Sequence, residues 1–369
     1  MKAFLRGADL SSLPEAEACG ARFFDRDGRE GDALRILALS GVDLVRLRLW
    51  HDPYSETGEP YGGGTCDLTR VTDMARRVRA LGLDWMLSFH YSDFWVDPGK
   101  QTLPKAWRDL SPEALERAVY AYTRSVLTAL RGEGLTPAIV GVGNEITNGL
   151  LWPHGQVPRW ENIVRFVGAG IRAVREAAPE AKVLLHLDNG GNAALYRDWF
   201  DQYFARGGED FDWIGLSYYP YWHGRLADLE GNLQALAARH GKPLLVTETS
   251  AGFTLEDYAD REGLAGKARR GMAATAERAS AVPFPMTEEG QRRYLRELAA
   301  RIRRTPDGLG RGFIWWEPAW IPVPGSGSGS AAGWAYAGEP GPGGNEWANQ
   351  AWFDYEGRAL PVLDTLRDL

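Results

Sequence analysis

The chain has little cysteine, little histidine and no surplus of positive charge, and each shortage removes a class of function. Cys19 and Cys66 are the only two cysteines, too few for a disulfide framework or a cysteine metal site, though they leave room for one bridge. The six histidines, His51, His90, His154, His186, His223 and His240, are dispersed, with no His-x-x-x-His pair to hold a catalytic zinc on a helix. A formal net charge of −7, with arginines scattered along the chain, gives no footprint for a phosphate backbone, so nucleic acid is not an expected partner. Apolar residues make up 44% of the 369, yet no uninterrupted run approaches the roughly 18 residues of a membrane helix, and no membrane is expected. Met1-Lys2 leads at once into a strand-like segment without the apolar core and cleavage site of a secretory signal. On that reading, either an export signal is missing from this chain or the protein is intracellular.

Other signatures are missing too. No Gly-x-Ser-x-Gly elbow occurs, and Lys182 and Lys242 precede strands where Schiff-base chemistry would want a lysine at a strand end. The glycine-rich stretches Gly62–Gly64 and Pro324–Gly344 lack the helix start and lysine of a phosphate cradle and read as flexible loops.

What is abundant is tryptophan, with 15 copies, which suits either a groove that stacks flat ligands or an aromatic-rich core. Short apolar runs alternate with longer amphipathic stretches, the pattern of a parallel sheet covered by helices. Eight runs read as strands: Ala3–Ala8, Leu44–Leu49, Trp85–His90, Ala138–Glu145, Val183–Leu187, Trp213–Tyr218, Leu244–Glu248 and Gly312–Trp316. Helical spacing covers Thr69–Leu81, Pro112–Leu130, Trp160–Ala177 and Leu226–His240, and Ser111-Pro112 reads as a helix start. Eight such units without a dinucleotide fingerprint predict a (β/α)8 TIM barrel, one domain over residues 1–369 with long βα loops.

In such a barrel, functional groups sit at the C-terminal ends of strands. Those ends are polar or aromatic here: Arg46, Arg48 and Trp50 on one face of strand two, His90 and Asp93 after strand three, Asn144-Glu145 on four, Tyr219 on six, Glu248 on seven, and Trp316-Glu317 on eight. Either glutamate alone reads first as a structural salt-bridge partner of Arg46 or Arg48. The pair, on strands four and seven and so about opposite one another, fits the acid and nucleophile of glycosidic cleavage. Asn144 is placed to bond a sugar hydroxyl beside the reacting carbon. Tyr219 is expected to bond the nucleophile, with Arg48 supporting its charge electrostatically. His90 reads either as a sugar-binding donor or as a buried histidine satisfied by a carbonyl.

These motifs resemble the family 53 glycoside hydrolases, the endo-β-1,4-galactanases of a retaining barrel clan. The matching stretches are Arg6-Gly7-Ala8-Asp9, Arg46-Leu47-Arg48-Leu49-Trp50, Phe89-His90-Tyr91-Ser92-Asp93-Phe94-Trp95, Val142-Gly143-Asn144-Glu145-Ile146, Ile214-Gly215-Leu216-Ser217-Tyr218-Tyr219-Pro220, Val246-Thr247-Glu248-Thr249 and Trp316-Glu317-Pro318-Ala319-Trp320. Asn-Glu alone indicates the clan, whereas the Phe-His-Tyr-Ser-Asp-Phe-Trp and Trp-Glu-Pro-Ala-Trp stretches are far more specific. The resemblance implies Glu145 as acid/base, Glu248 as nucleophile, β-1,4-galactan or type I arabinogalactan as substrate, and secretion. Other β-1,4-polysaccharidases of the clan, mannanases or xylanases, and a barrel that binds glycans without cutting them are the alternatives.

Arg48, His90, Asp93, Trp95, Asn144, Tyr219, Trp222, Trp316, Trp320 and Trp347 are expected to bind substrate, while Trp85, Trp199 and Trp213 are expected to pack. Two departures from the resemblance follow strand seven. Ala251-Gly252 stand where relatives often carry an aromatic, and Glu256, Asp257 and Asp260 do not supply the six to eight oxygens of the structural calcium common in bacterial relatives. No cofactor is expected to be required, and the chain is expected to act as a monomer.

Overall fold

The computed structural model describes residues 1–260, 271–339 and 344–369. Eight parallel strands close into one barrel: β1 (Leu5–Asp9), β2 (Leu44–Leu49), β3 (Asp84–Phe89), β4 (Ile139–Val142), β5 (Lys182–Leu187), β6 (Trp213–Ser217), β7 (Leu244–Thr249) and β8 (Gly310–Trp315). Each pairs with its neighbours in chain order, and β1 closes the ring by pairing with both β2 and β8. Of the eleven α-helices among the described residues, eight are named here: α1 (Ala33–Leu39), α2 (Leu68–Ala80), α3 (Pro112–Gly132), α4 (Trp160–Ala177), α5 (Ala193–Ala205), α6 (Leu226–His240), α7 (Glu288–Arg303) and α8 (Val362–Asp368). Ser111 starts α3 as expected, its side chain accepting from Ala114 N with Pro112 in the first turn, a cap worth about 1 kcal/mol.

Strand alternation explains both the core and the site. Residues pointing outward, such as Val45, Leu47 and Leu49 of β2 or Val183, Leu185 and Leu187 of β5, join the main core beneath the helices. Those pointing inward at the N-terminal end, one from each strand, form a separate plug of Leu5, Leu44, Met86, Ile139, Leu184, Trp213, Leu245 and Ile314. Full burial of each such side chain contributes about 1.5–3 kcal/mol. Two residues further along, the same inward columns turn polar: Arg46, Ser88, His186 and Thr247 are all buried. The apolar plug closes the bottom of the barrel, so this polar layer can meet solvent only through the C-terminal mouth. Gly215 keeps the layer tight, since a Cβ there would lie 2.6 Å from Leu184 Cδ2 and 3.0 Å from Thr247 Oγ1.

The fourth strand ends earlier than its apolar run suggests. Gly143 has φ +84° and Glu145 φ +47°, so extended geometry stops at Val142 and the backbone turns before the glutamate. A left-handed conformation at a residue with a Cβ costs about 1–3 kcal/mol. The sequence spends that at the residue it aims into the mouth.

Candidate active site

Glu248, on β7, is gripped at both oxygens. Arg46 Nη1 donates to Oε1 at 2.6 Å, and the Tyr219 hydroxyl donates to Oε2 at 3.0 Å. Arg46 is completely buried, and Asp9 Oδ2 lies 3.3 Å from the same Nη1. Burial works against its charge, but Glu248 and Asp9 outweigh it and raise the guanidinium pKa. Glu145 lives in another environment. Burial pushes its carboxyl well above the usual glutamate range, and the negative charges of Glu248 and Asp188 push the same way. Two neighbouring carboxyl groups held so differently suit two different proton roles.

Around this pair opens a cleft of about 750 Å³, lined among others by Arg48, His90, Trp95, Asn144, Tyr219, Trp222, Trp316, Trp320 and Trp347. The indoles form its wall: ring centroids are 4.6 Å apart for Trp316–Trp347 and 6.1 Å for Trp95–Trp316, and Tyr219 lies 5.3 Å from Trp347. Trp222 stands at the rim, 40% exposed. His90 is neutral: its pKa is driven well below the ordinary value by burial first, then by Arg46, Arg48 and His186. Trp50 Nε1 donates to its Nδ1 at 3.2 Å, so the ring proton sits on Nε2. That Nε2 has no hydrogen-bond partner among the described residues, which favours the sugar-donor reading.

The chain matches the Glycosyl hydrolase family 53 profile over residues 5–366. It is a member of glycosyl hydrolase family 53. An uncharacterised protein of Niallia circulans is 40% identical, with 99% of this chain and 94% of the relative aligned. The endo-β-1,4-galactanase of Bacillus subtilis (strain 168) is 35% identical, with 99% and 86% aligned. Among solved structures, the family 53 catalytic domain of Ignisphaera aggregans superposes with a TM-score of 0.90 at 38% identity, covering 100% of this chain and 96% of that one.

Two sequence expectations need correction in this family 53 hydrolase, and the structure narrows a third. Asp93 does not reach the cleft: it is fully buried, and its carboxylate accepts from Asp52 N (3.0 Å), Lys105 N (2.7 Å) and the Tyr336 hydroxyl (3.2 Å), fastening the loops after β2, β3 and β8. Arg48 lines the cleft but does not support Glu248. It binds Glu317 Oε1 at 2.5 Å and Asp9 Oδ1 at 3.1 Å, and lies under Trp95 and Trp316, 4.6 and 5.7 Å from their ring centres. Asn144 is mostly committed within the protein, with Oδ1 accepting from Arg46 Nη2 (2.7 Å) and Nδ2 donating to Val96 O (3.2 Å), so one amide hydrogen is left for a ligand.

Several residues were given no place in the site from the sequence. Arg46, the partner of Glu248, shares its face with Arg48, and only the ring geometry tells the two apart. Asp188, two residues beyond His186 on the inward column of β5, lines the cleft, and its hydrogen-bond partner is Thr147. Burial raises its pKa. Glu317 follows β8 with φ +49° and accepts from Ser12 Oγ at 2.9 Å. Trp85, Trp199 and Trp213 are buried packing residues as expected. Phe253 packs on Tyr355 and does not line the cleft, so it does not replace the missing aromatic after β7.

Cys19 and Cys66 are free thiols. No helix among the described residues is long and apolar enough to cross a membrane. For calcium, no group of three or more His, Cys, Asp or Glu among the described residues could hold a metal ion. Asp257 Oδ1 accepts from Ala259 N at 2.8 Å, and the side chain of Asp260 and the basic stretch that follows it lie outside the described residues.

Proposed function

We propose that this family 53 hydrolase is an endo-acting β-1,4-galactanase that works by double displacement, with Glu145 as acid/base and Glu248 as nucleophile. The observation that carries the assignment is the contrast between the carboxyls, one charge-paired by Arg46 and one held by burial above the usual range. In the first step the Glu248 carboxylate attacks the anomeric carbon, the glycosidic C–O bond breaks, and the Glu145 proton passes to the leaving oxygen. In the second, Glu145 takes a proton from water, the resulting hydroxide attacks the same carbon, and the ester to Glu248 breaks. No metal or cofactor is required in either step. A barrel that merely binds glycans would have no use for two carboxyls so differently tuned.

The choice of galactan is supported by the activity named for the Bacillus subtilis relative, which is aligned over nearly the whole chain. The indole wall offers flat faces to the apolar sides of sugars, and His90 Nε2 offers a donor to a hydroxyl. All these groups come from one barrel, consistent with action as a monomer. A polymer does not cross a membrane, so the proposed substrate implies export. The test is hydrolysis of β-1,4-galactan beside β-1,4-mannan, xylan and carboxymethyl cellulose at equal enzyme. Galactan should lose viscosity before much reducing sugar appears, and comparable rates on mannan or xylan would refute the substrate assignment.

A further inference from the structure

The ladder of β4 stops at Val142, so the turn that carries Glu145 has to find its hydrogen bonds elsewhere. It finds them on the loop after β3. Gln101 Nε2 donates to Asn144 O at 2.8 Å and comes within 3.5 Å of Glu145 O, so one amide bridges the two peptide carbonyls that flank the Glu145 Cα. A left-handed residue such as Glu145, with φ 47° and ψ 50°, turns those two carbonyls to the same side, which lets a single donor serve both. The second amide hydrogen of Gln101 goes to Asp97 O, 3.2 Å away. All three neighbours are carbonyls and can only accept, which fixes the amide orientation.

Gln101 is 2% exposed and does not line the cleft, whereas Val96, Asp97, Pro98 and Lys100 of the same loop do. It cannot reach a sugar and acts only through the turn. The loop and the turn are joined at three other points: Asn144 Nδ2 donates to Val96 O at 3.2 Å, Asn148 Nδ2 to Pro98 O at 2.9 Å, and Trp152 N to Gln101 O at 2.8 Å. Further along the turn, Trp199 Nε1 donates to Ile146 O at 3.2 Å and Thr147 Oγ1 to Asp188 Oδ1, but neither reaches the peptides beside the Glu145 Cα.

We propose that Gln101 is the positioning residue of the acid/base. The planes of the two flanking peptides set the direction of the Cα–Cβ bond, so the amide that grips both carbonyls aims the Glu145 carboxyl and makes the acid one body with the cleft-lining loop. The proposal rests on the acid/base reading of Glu145 and adds the group that points it. Without the donor, Asn144 O loses its 2.8 Å bond, and the left-handed turn, which is costly for a residue with a Cβ, relaxes and swings the side chain off its line. Glu248 is held by Arg46 and Tyr219, neither of which Gln101 touches.

Leaving groups separate the aiming of an acid from general support of the fold. A sugar oxygen needs the acid proton to depart, whereas 2,4-dinitrophenolate leaves without one. Gln101→Met keeps the side-chain length and removes both donors. Its kcat/KM on β-1,4-galactan should fall about 10- to 100-fold, the order of cost of misplacing a group by about 1 Å. On 2,4-dinitrophenyl β-galactobioside it should stay within about threefold of the parent. With that aryl substrate azide should raise kcat and give the β-galactobiosyl azide, because a misplaced base no longer activates water in the second step. Gln101→Asn, whose shorter amide falls short of Asn144 O, should behave the same way and decides the question if the methionine variant does not fold. Equal losses on both substrates, or a galactan rate within about threefold of the parent, would overturn the proposal. Glu145→Ala, measured beside them, should show the same contrast more strongly. If it loses both substrates equally, the acid assignment falls; if it alone shows the contrast, only the role of Gln101 falls.

Discussion

Arg46→Met is the sharpest test of how the site is held together. Methionine fills much of the arginine volume without a charge. Its introduction leaves Glu248 Oε1 without its 2.6 Å donor, removes one of the two guanidiniums beside Asp9, and takes the strong donor from Asn144 Oδ1. Breaking a buried pair by removing one partner costs about 3–5 kcal/mol, mostly because the remaining charge is stranded away from water. With a urea m-value of about 3 kcal/mol/M, reasonable for a chain of this size, the unfolding midpoint should fall by about 1–1.7 M. The proper control is Arg46→Met combined with Glu248→Gln, which strands no nucleophile charge. It should recover at least half of the lost stability, since the energy lies in the uncompensated carboxylate and not in the side-chain volume. Chemical unfolding followed by tryptophan fluorescence, with activity measured in parallel, gives both numbers. If Arg46→Met unfolds within about 0.3 M of the parent, or if the double variant is no more stable than the single one, the claim that Arg46 compensates Glu248 is wrong.

Glu145→Ala and Glu248→Ala should each lose roughly three or more orders of magnitude in turnover, and azide should rescue the latter as a glycosyl azide of inverted configuration. Near-parental rates from either would remove it from the mechanism. The first product observed by NMR should be the β anomer, with the two carboxyls about 5–5.5 Å apart in a crystal structure; an α product would mean inversion. Tyr219→Phe removes one hydrogen bond to Glu248 at little change in shape, and the usual 1.5–3 kcal/mol for a bond to a charged group predicts a loss of about 10- to 150-fold in kcat/KM. Because the folded-state pKa of Glu145 is raised, the protonated carboxyl contributes stability that is complete at acid pH and is lost as pH climbs from the ordinary glutamate range through the raised value. The melting temperature should decline across that window, and Glu145→Gln should flatten the decline. Exhaustive chelation should leave turnover intact, and activity that vanished with chelator and returned with one metal would place that metal in the mechanism.

The barrel was legible because period-two alternation and helical spacing are local signals; the strand runs and the helix at Trp160–Ala177 needed no tertiary information. Strand-end chemistry was legible for the same reason, since the end of a run marks the mouth of the barrel. What the sequence could not separate was partners. Arg46 and Arg48 share a face of β2, and the sequence reading gave the support of Glu248 to Arg48. The ring gives Arg46 the nucleophile and Arg48 the Glu317 side because they sit one layer apart. Asp93 misled for a related reason. It lies in a stretch that resembles the family, but its carboxylate is taken up by Asp52 N, Lys105 N and the Tyr336 hydroxyl, so Asp93 ties loops together instead of meeting sugar. His186 was visible only as one dispersed histidine, because its contacts with Asn144 and Ser217 depend on what stands beside it across the barrel.

The distribution of charge in the mouth follows from a count of partners. Two buried guanidiniums stand in this layer. Arg46 is shared by Glu248 and Asp9, and Arg48 by Asp9 and Glu317. Even with Arg48 in contact, burial and the Asp9 charge raise Glu317 to about 7, which shows how fully the two cations are used. Among the described residues Glu145 has no arginine or lysine partner, and its neighbours Glu248, Asp188 and Asp97 only add negative charge. A carboxyl in that position lowers its energy by keeping a proton. The acid of the pair is therefore set by where the arginines are, and moving a cation next to Glu145 should convert it into a second carboxylate. Asp188→Lys, which puts an ammonium where a negative charge now stands beside the cleft, should shift the basic limb of kcat/KM to lower pH, whereas Asp188→Asn should shift it less in the same direction. An unmoved limb in both variants would show that the charge count does not govern Glu145.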